Sequence, residues 1–333
     1  MIASLTLEEI REARAQLGDR VITTPVHEWG GPLREEILGP RARVFLKLEL
    51  LQRTGTFKAR GALLNMLRLS PEELARGVTA ISAGNHAVAV AYAARSLGVN
   101  AKVVMIKTAN ALRVELCRKY GAEIEFAENA HAGFERVKQV EKEEGRALIH
   151  PFEGVRTALG TATLGLEFCQ QVEPLDAVIV PIGGGGLCAG VASAVKLSWP
   201  DCAVYGVEPT GADSMKRSLA AGEPRSIERV ATIADSLGAP YAAPITFELC
   251  RRNVDDVVLV TDDELRDAMR LTLREIKLAV EPAGASALAA LVGPLREKLR
   301  GRRVGLIVCG SNIDPATYSK YLARGAELAE LLA

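Results

Sequence analysis

Three observations predict an α/β fold built on parallel sheets covered by helices. Short runs rich in Val and Ile recur along the chain, at Val44-Phe-Leu-Lys-Leu, Val78-Thr-Ala-Ile, Val103-Val-Met-Ile, Ala177-Val-Ile-Val, Val204-Tyr-Gly-Val, Val257-Val-Leu-Val and Val304-Gly-Leu-Ile-Val. Helical patterns of roughly ten or more residues separate most of them, as crossover connections between parallel strands require. The runs are also nearly continuous in apolar residues instead of alternating, which is how strands read when both faces are buried. A chain of 333 residues fits one or two domains, so the choice lies between a barrel and a doubly wound, two-lobed architecture. No repeat, low-complexity tract or linker separates two halves. The lobes are therefore expected to interleave, with a small one over residues 55–153 and a large one made of residues 1–54 and 154–333.

Composition narrows the function classes. Lys+Arg and Asp+Glu both number 41, and apolar residues make up 48% of the chain. Without net charge there is no electrostatic case for nucleic acid or an anionic membrane surface as a partner. The N-terminal Met-Ile-Ala-Ser-Leu-Thr lacks the basic and apolar regions of a signal peptide, and no run approaches the ~18 apolar residues of a membrane span. Six cysteines, at 117, 169, 188, 202, 250 and 309, show neither paired spacing nor a histidine cluster. They read as small buried hydrophobes in a reducing compartment, and the expected location is cytoplasmic.

In chain order, Thr6-x-x-Glu9 ahead of an amphipathic run predicts a capped first helix over about residues 7–17. Lys58 follows, in Thr54-Gly-Thr-Phe-Lys-Ala-Arg-Gly61, leading into the apolar run 62–67. A lysine drawn into apolar surroundings gives up its proton more readily and can form a Schiff base; in isolation a snorkelling lysine reads the same way. Ser82-Ala-Gly-Asn-His86 joins a strand to a helix. Its hydroxyl, amide and helix-start N–H groups suit a carboxylate, with a plain N-cap as the simpler alternative. Strand 177–182 runs into Gly183-Gly-Gly-Gly-Leu187 and a further helix. Four glycines free the backbone N–H groups to turn inward at a helix N-terminus, a cradle for one phosphate monoester. Neither a dinucleotide fingerprint nor a Walker lysine accompanies it. Last, Val308-Cys-Gly-Ser-Asn-Ile-Asp314 puts polar groups at a strand's carboxyl end, where open α/β sheets bind ligands, although an Asx turn uses the same residues.

An amine nucleophile, a phosphate cradle, a carboxylate clamp and a polar strand end together describe pyridoxal 5'-phosphate with an amino-acid substrate. The sequence resembles the fold-type II, tryptophan synthase β-like pyridoxal-phosphate enzymes, in the threonine/serine dehydratase branch with its serine racemase relatives. The likeness is carried by the lysine run from Thr54, Ser82-Ala-Gly-Asn-His-Ala, His150-Pro-Phe-Glu, Val180-Pro-Ile-Gly-Gly-Gly-Gly-Leu, Gly206-Val-Glu-Pro-Thr-Gly-Ala-Asp-Ser-Met, Thr232-Ile-Ala-Asp, Val280-Glu-Pro-Ala-Gly-Ala and Cys309-Gly-Ser-Asn-Ile-Asp. They fall in the family's order over nearly the whole chain. The resemblance implies two three-layer lobes with parallel or mixed sheets and the cofactor between them.

It also implies roles. Lys58 holds the cofactor as a Schiff base and removes the substrate Cα proton. Gly183, Gly184, Gly185, Gly186 and Leu187 hold the phosphate; Asn85 bonds the 3′ oxygen, and Glu281 lies near the ring. Ser82, Gly84, Asn85 and His86 line the carboxylate pocket, with His86 expected to position and not to act as a base. Arg60 is expected to pack or pair. The family sets a neutral hydroxyl against the pyridine nitrogen where this chain has Cys309, with Ser311 two residues on as a substitute. A thiol is a weak donor and acceptor, and without an acid there, loss of a β-leaving group is favoured over transamination. Ala83 stands where the racemases carry a second serine, so racemisation is expected to be weak. A cation site on Glu208, the Ala212 carbonyl and Ser214 lacks a carboxylate that a divalent ion would want. A monovalent ion or water suits it as well, and Asp213 reads as a helix cap.

The expected reaction is α,β-elimination from a β-hydroxy amino acid, L-threonine or L-serine by default, giving a 2-oxo acid and ammonia. Racemisation, or dehydration of 3-hydroxyaspartate or phenylserine, is the alternative within the fold. Thr108-Ala-Asn-Ala and Ser236 depart from the common threonine enzymes, and His131 reads as a solvated helix residue. A nucleotide-binding redox or regulatory protein is the alternative of a different class. A homodimer is the family expectation for assembly.

Overall fold

The structure, a computed structural model, describes residues 4–82 and 84–324, apart from the side chains of residues 130 and 131. In chain order the strands are β1 (Val26–Trp29), β2 (Arg43–Leu48), β3 (Val78–Ile81), β4 (Ala101–Ile106), β5 (Glu123–Ala127), β6 (Ala147–Leu148), β7 (Ala177–Pro181), β8 (Ala203–Pro209), β9 (Asp256–Val260) and β10 (Arg303–Val308). They make a six-stranded sheet in the order β1-β2-β10-β7-β8-β9 and a four-stranded sheet in the order β5-β4-β3-β6. All neighbours are parallel except β1 on β2. The sheets are open, which decides for the doubly wound arrangement over the barrel.

Each apolar run read as a strand is one. The strands that such runs did not announce are β1, β5 and β6, and each has a reason. β5 is Glu-Ile-Glu-Phe-Ala at a sheet edge, where polar residues face water and the apolar run is broken. β1 is an antiparallel edge strand, and β6 is two residues long.

The helices are α1 (Leu7–Leu17), α2 (Pro32–Leu38), α3 (Lys58–Leu67), α4 (Pro71–Arg76), α5 (Asn85–Leu97), α6 (Ala111–Lys119) and α7 (Ala130–Glu144), then α8 (Val155–Gln171), α9 (Gly186–Ser198), α10 (Ser214–Ala221), α11 (Pro244–Asn253), α12 (Asp262–Leu271), α13 (Pro282–Val292) and α14 (Pro315–Leu322). α1 begins and ends where the capping box predicts, with the Thr6 side chain and Glu9 reciprocally bonded. Among the described residues no helix is long and apolar enough to cross a membrane.

Three helices fix the position of Lys58. α3 lies on α8, and α8 on α9, with backbones close enough that glycine is required at the crossings. A Cβ on Gly160 would fall 2.7 Å from the Arg60 carbonyl oxygen, and one on Gly190 would fall 2.3 Å from that of Ala158. Arg60 locks the same helix from its buried side. Its guanidinium donates to both oxygens of Glu49, at 2.8 and 2.9 Å, and to both of Glu167, at 2.9 and 2.7 Å. All three side chains are buried, so this is the ion pairing expected of Arg60. Lys47 and Arg14 add contacts to Glu167.

Candidate active site

Cys309 follows β10, the glycine loop follows β7, and Ser82 follows β3, so the carboxyl ends of both sheets converge. Between them lies a cavity. Lys58, Asn85, Gly183, Gly184, Gly185, Gly186, Leu187, Glu281 and Cys309 all line it. Residues far apart in sequence thus share one wall.

Lys58 opens α3, half-buried, and its Nζ donates to the Pro151 carbonyl at 2.6 Å. Burial lowers its pKa to about 8, with Cys309 and Glu281 opposing the shift. A second, smaller chamber adjoins it, reaching His86, His150 and Thr157. Lys58, Phe57, Gly186 and Leu187 line both chambers.

The glycine row has more than one duty. Gly185 has φ +91° and needs to be glycine. The first N–H bond of α9 runs from Ala189 to the Gly185 carbonyl at 2.8 Å. The amides of Gly186, Leu187 and Cys188 precede it and have no partner within the helix. Gly184 and Gly186, however, are small because of Phe152. A Cβ on Gly184 would sit 2.1 Å from the Phe152 ring, and one on Gly186 would sit 2.6 Å from its carbonyl oxygen. Gly183 packs on the Leu237 backbone. Gly184 and Gly186 thus seat Phe152 as well as belonging to the cradle.

The Ser82 loop is tightly bonded. The Ser82 hydroxyl accepts from the Gly84 N–H at 3.0 Å, and Gly84 caps α5. Residue 83, whose alanine bears on racemisation, lies outside the described residues, as does the side chain of His131. Asn85 donates to Glu281 Oε1 at 2.7 Å and Ser236 Oγ at 3.0 Å, and its Oδ1 accepts from Asn312 Nδ2 at 2.9 Å. His86 Nε2 meets the Ile149 carbonyl at 2.7 Å, so that nitrogen carries the proton. Burial and then Lys58 lower its pKa to about 3. A neutral imidazole committed to a carbonyl positions the loop.

Cys309 and Ser311 are separated by the geometry. Cys309 is buried on the cavity wall, and burial pushes its thiol up. Ser311 lies beyond the lining, with its N–H donating to the Gly55 carbonyl at 3.1 Å. Glu208 is buried, with its carboxylate accepting from the Met215 and Lys216 amides at 2.9 and 2.8 Å. Burial raises its pKa to about 8. Asp213 occupies the cap position of α10, but its side chain turns to Arg217 and it is Glu208 that takes the helix-start amides. Ser214 Oγ is buried without a partner among the described residues. No cluster of three metal-ligating side chains occurs among them.

Arg113 lies in none of the sequence runs named above, while His150, Asp235 and Asn312 lie within runs that carry the resemblance but have no role of their own there. His150 Nδ1 accepts from the Glu153 N–H at 3.0 Å, and burial lowers its pKa to about 4. Nothing local marks Arg113, since an arginine in a nine-residue helix that also carries Glu115, Arg118 and Lys119 reads as surface.

A low-pKa amine, unpaired helix-start amides and a thiol share one cavity, and that set fits pyridoxal phosphate. The "Pyridoxal-phosphate dependent enzyme" family model matches residues 19–310. The chain belongs to that family. Within this pyridoxal-phosphate enzyme family, it is 56% identical to the phenylserine dehydratase of Ralstonia pickettii, over 96% of this chain and 97% of that one. It is 35% identical to the L-threonine ammonia-lyase of Thermotoga maritima, over 96% of this chain and 79% of the relative. The structure of maize serine racemase superposes with a TM-score of 0.89 at 36% identity, covering 96% and 98% of the two chains. This pyridoxal-phosphate enzyme therefore has fold type II and sits in the threonine/serine dehydratase branch.

Proposed function

We propose that the protein is a pyridoxal-phosphate-dependent dehydratase of β-hydroxy amino acids whose preferred substrates carry an aryl side chain, as phenylserine does. The observation that carries this reading is the lining of the cavity. Beside Lys58 the described wall holds no second cation, while Phe57, Phe152 and Leu237 are apolar. A 3-hydroxyaspartate side chain would find no second cation for its carboxylate there, whereas a phenyl ring would find apolar surface. The likeness to a phenylserine dehydratase over almost all of both chains supports the same choice. It replaces L-threonine and L-serine as the default, which become weaker substrates.

Bound pyridoxal phosphate supplies an electron sink that acidifies the substrate Cα–H. The Lys58 amine, half neutral near pH 8 and increasingly so above it, takes that proton. Amides at the start of α5 and the Ser82 loop seat the substrate carboxylate. The glycine-row amides of α9 hold the cofactor phosphate. Asn85 and Glu281 would hold the ring edge, and Cys309, a weak donor on the same wall, would be the partner for the ring nitrogen. The one carboxylate on the described wall, Glu281, is already engaged by Asn85 and Arg113, so prompt loss of the β-hydroxyl, leaving as water with the proton that Lys58 has taken from Cα, is favoured over a long-lived carbanion. The released enamine tautomerises and hydrolyses to a 2-oxo acid and ammonia.

We further read residues 55–153 as a small lobe on a large lobe of 1–54 and 154–333, because every strand of the four-stranded sheet comes from the first segment. A homodimer and a monovalent cation at Glu208, Ala212 and Ser214 complete the reading. The test is release of 2-oxo acid and ammonia from phenylserine, L-threonine, L-serine and 3-hydroxyaspartate. Highest kcat/KM on phenylserine is expected; a preference for L-threonine or 3-hydroxyaspartate overturns the aryl assignment. Absence of elimination from all four overturns the reaction class.

A further inference from the structure

Arg113, on α6, is 3% exposed, a position that an unpaired guanidinium could not hold. Its Nε donates to the Asn312 carbonyl at 3.1 Å. Nη1 and Nη2 grip the Asp235 carboxylate at 2.5 and 3.1 Å. Nη2 also reaches Glu281 Oε2 at 3.2 Å and Ser236 Oγ at 3.3 Å. The other Glu281 oxygen accepts from Asn85, and Asn85 accepts from Asn312. The bonds close a circuit through Arg113, Glu281, Asn85 and Asn312.

Arg113 and Asn85 come from the segment that builds the four-stranded sheet, and their partners from segments around the six-stranded one. The two sequence departures near the pocket meet here as well. Ser236 bonds both Asn85 and Arg113. Asn110 caps α6 through its Oδ1 and donates across to Asp314 at 2.9 Å.

We propose that Arg113 is a positioning residue for the elimination, latching α6 to the large lobe and holding Glu281 as a carboxylate so that Asn85 keeps its place on the cofactor cavity wall. The proposal rests on reading the cavity as the pyridoxal-phosphate site. Its physical basis is the cost of a buried charge. Glu281 is 1% exposed, and a carboxylate so placed takes up a proton unless a cation sits beside it. The groups that face Glu281 are Arg113 from α6, Asp235 from the 235–237 turn, Lys58 from α3 and Cys309 after β10. Burial already raises the Glu281 pKa, and Arg113 is the largest force opposing it. Without Arg113 that opposing force is lost and the carboxyl is pushed further toward its protonated form, which presents an O–H to Asn85 where the carboxylate presents an acceptor.

The experiment uses cofactor-loaded protein with Arg113→Gln, Arg113→Lys, Glu281→Gln and the Arg113→Gln/Glu281→Gln double variant. Three quantities are followed against pH: kcat and KM on the substrate turned over by the unaltered enzyme, the visible spectrum of the bound cofactor, and the dissociation constant of pyridoxal phosphate. In Arg113→Gln, kcat is expected to fall about tenfold or more at neutral pH. The acid limbs of kcat and of the spectrum should both move to higher pH. Arg113→Lys keeps the charge but not the fork; it should restore the limb and only part of the rate. The double variant should be no worse than Glu281→Gln alone. Unmoved limbs in Arg113→Gln, or losses that multiply in the double variant, overturn the proposal. If Arg113→Gln does not fold, Arg113→Lys decides, and an unaltered kcat there overturns it. Failure of the unaltered protein to bind pyridoxal phosphate overturns the reading of the cavity itself, a result distinct from a failure confined to the Arg113 variants.

Discussion

Lys58 illustrates what a single residue can and cannot disclose. Its chemistry was legible in the sequence, because an amine beside Phe57 at the head of an apolar helix is already unusual. Its partner was not, because Pro151 reaches it from ninety-three positions away and has no side-chain donor or acceptor to betray the contact. The pKa of about 8 makes a prediction with a definite sign. Below that value the neutral amine falls about tenfold per pH unit. In cofactor-free protein, borohydride-trapped capture of pyridoxal phosphate should rise with pH and level off near 8. A rise continuing to the ordinary lysine range, about 10.4, would show that burial does not reach the amine. His86 adds no inflection of its own near neutrality, since its pKa lies at about 3. Arg113 marks the opposite extreme, for its burial depends on four partners that no window of sequence contains.

At the scale of elements, the helix that carries Lys58 is held from two sides. Arg60 neutralises Glu49 and Glu167 in a site closed to water. Arg60→Ala leaves Glu49 with only the Thr24 hydroxyl at 2.5 Å among the side-chain contacts described, and should destabilise the fold by about 3–5 kcal/mol in denaturant titration. A loss under about 1 kcal/mol would mean that the network behaves as a surface pair. On the other side, Gly160 lets α8 touch the α3 backbone. Gly160→Ala must push the helices apart, with an expected cost of about 1–3 kcal/mol. It should also lower kcat more than cofactor affinity, because the amine moves while the glycine loop does not. Equal effects on both would place the strain elsewhere. Neither device was visible beforehand in full. Arg60 read as a packing or pairing residue, while Gly160 is one glycine among 30 until its neighbour across the crossing is known.

For the whole molecule, the apolar strands and their spacing were enough to define the class, because a parallel sheet buried on both faces writes itself as unbroken Val and Ile. An edge strand can escape that signature, as β5 does, although β9 at the edge of the six-stranded sheet keeps it. The glycine row shows a subtler limit. It was legible as a cradle, yet two of its members are glycine to make room for Phe152, a packing demand that comes from another part of the chain. The order of strands has a consequence in time. β10, at residues 303–308, lies in the middle of the six-stranded sheet, between β2 and β7. The four-stranded sheet is complete once residue 148 has been made. During synthesis the one sheet can close early, while the other waits for almost the last strand to enter its centre, and long-range pairing of that kind is slow. A chain stopped at residue 300 should keep protected amides in β3, β4 and β5 by hydrogen exchange but fail to bind pyridoxal phosphate. Binding by that shortened chain would refute the sequence of events. The nascent protein is thus kept from engaging a reactive aldehyde until the wall that disciplines it exists.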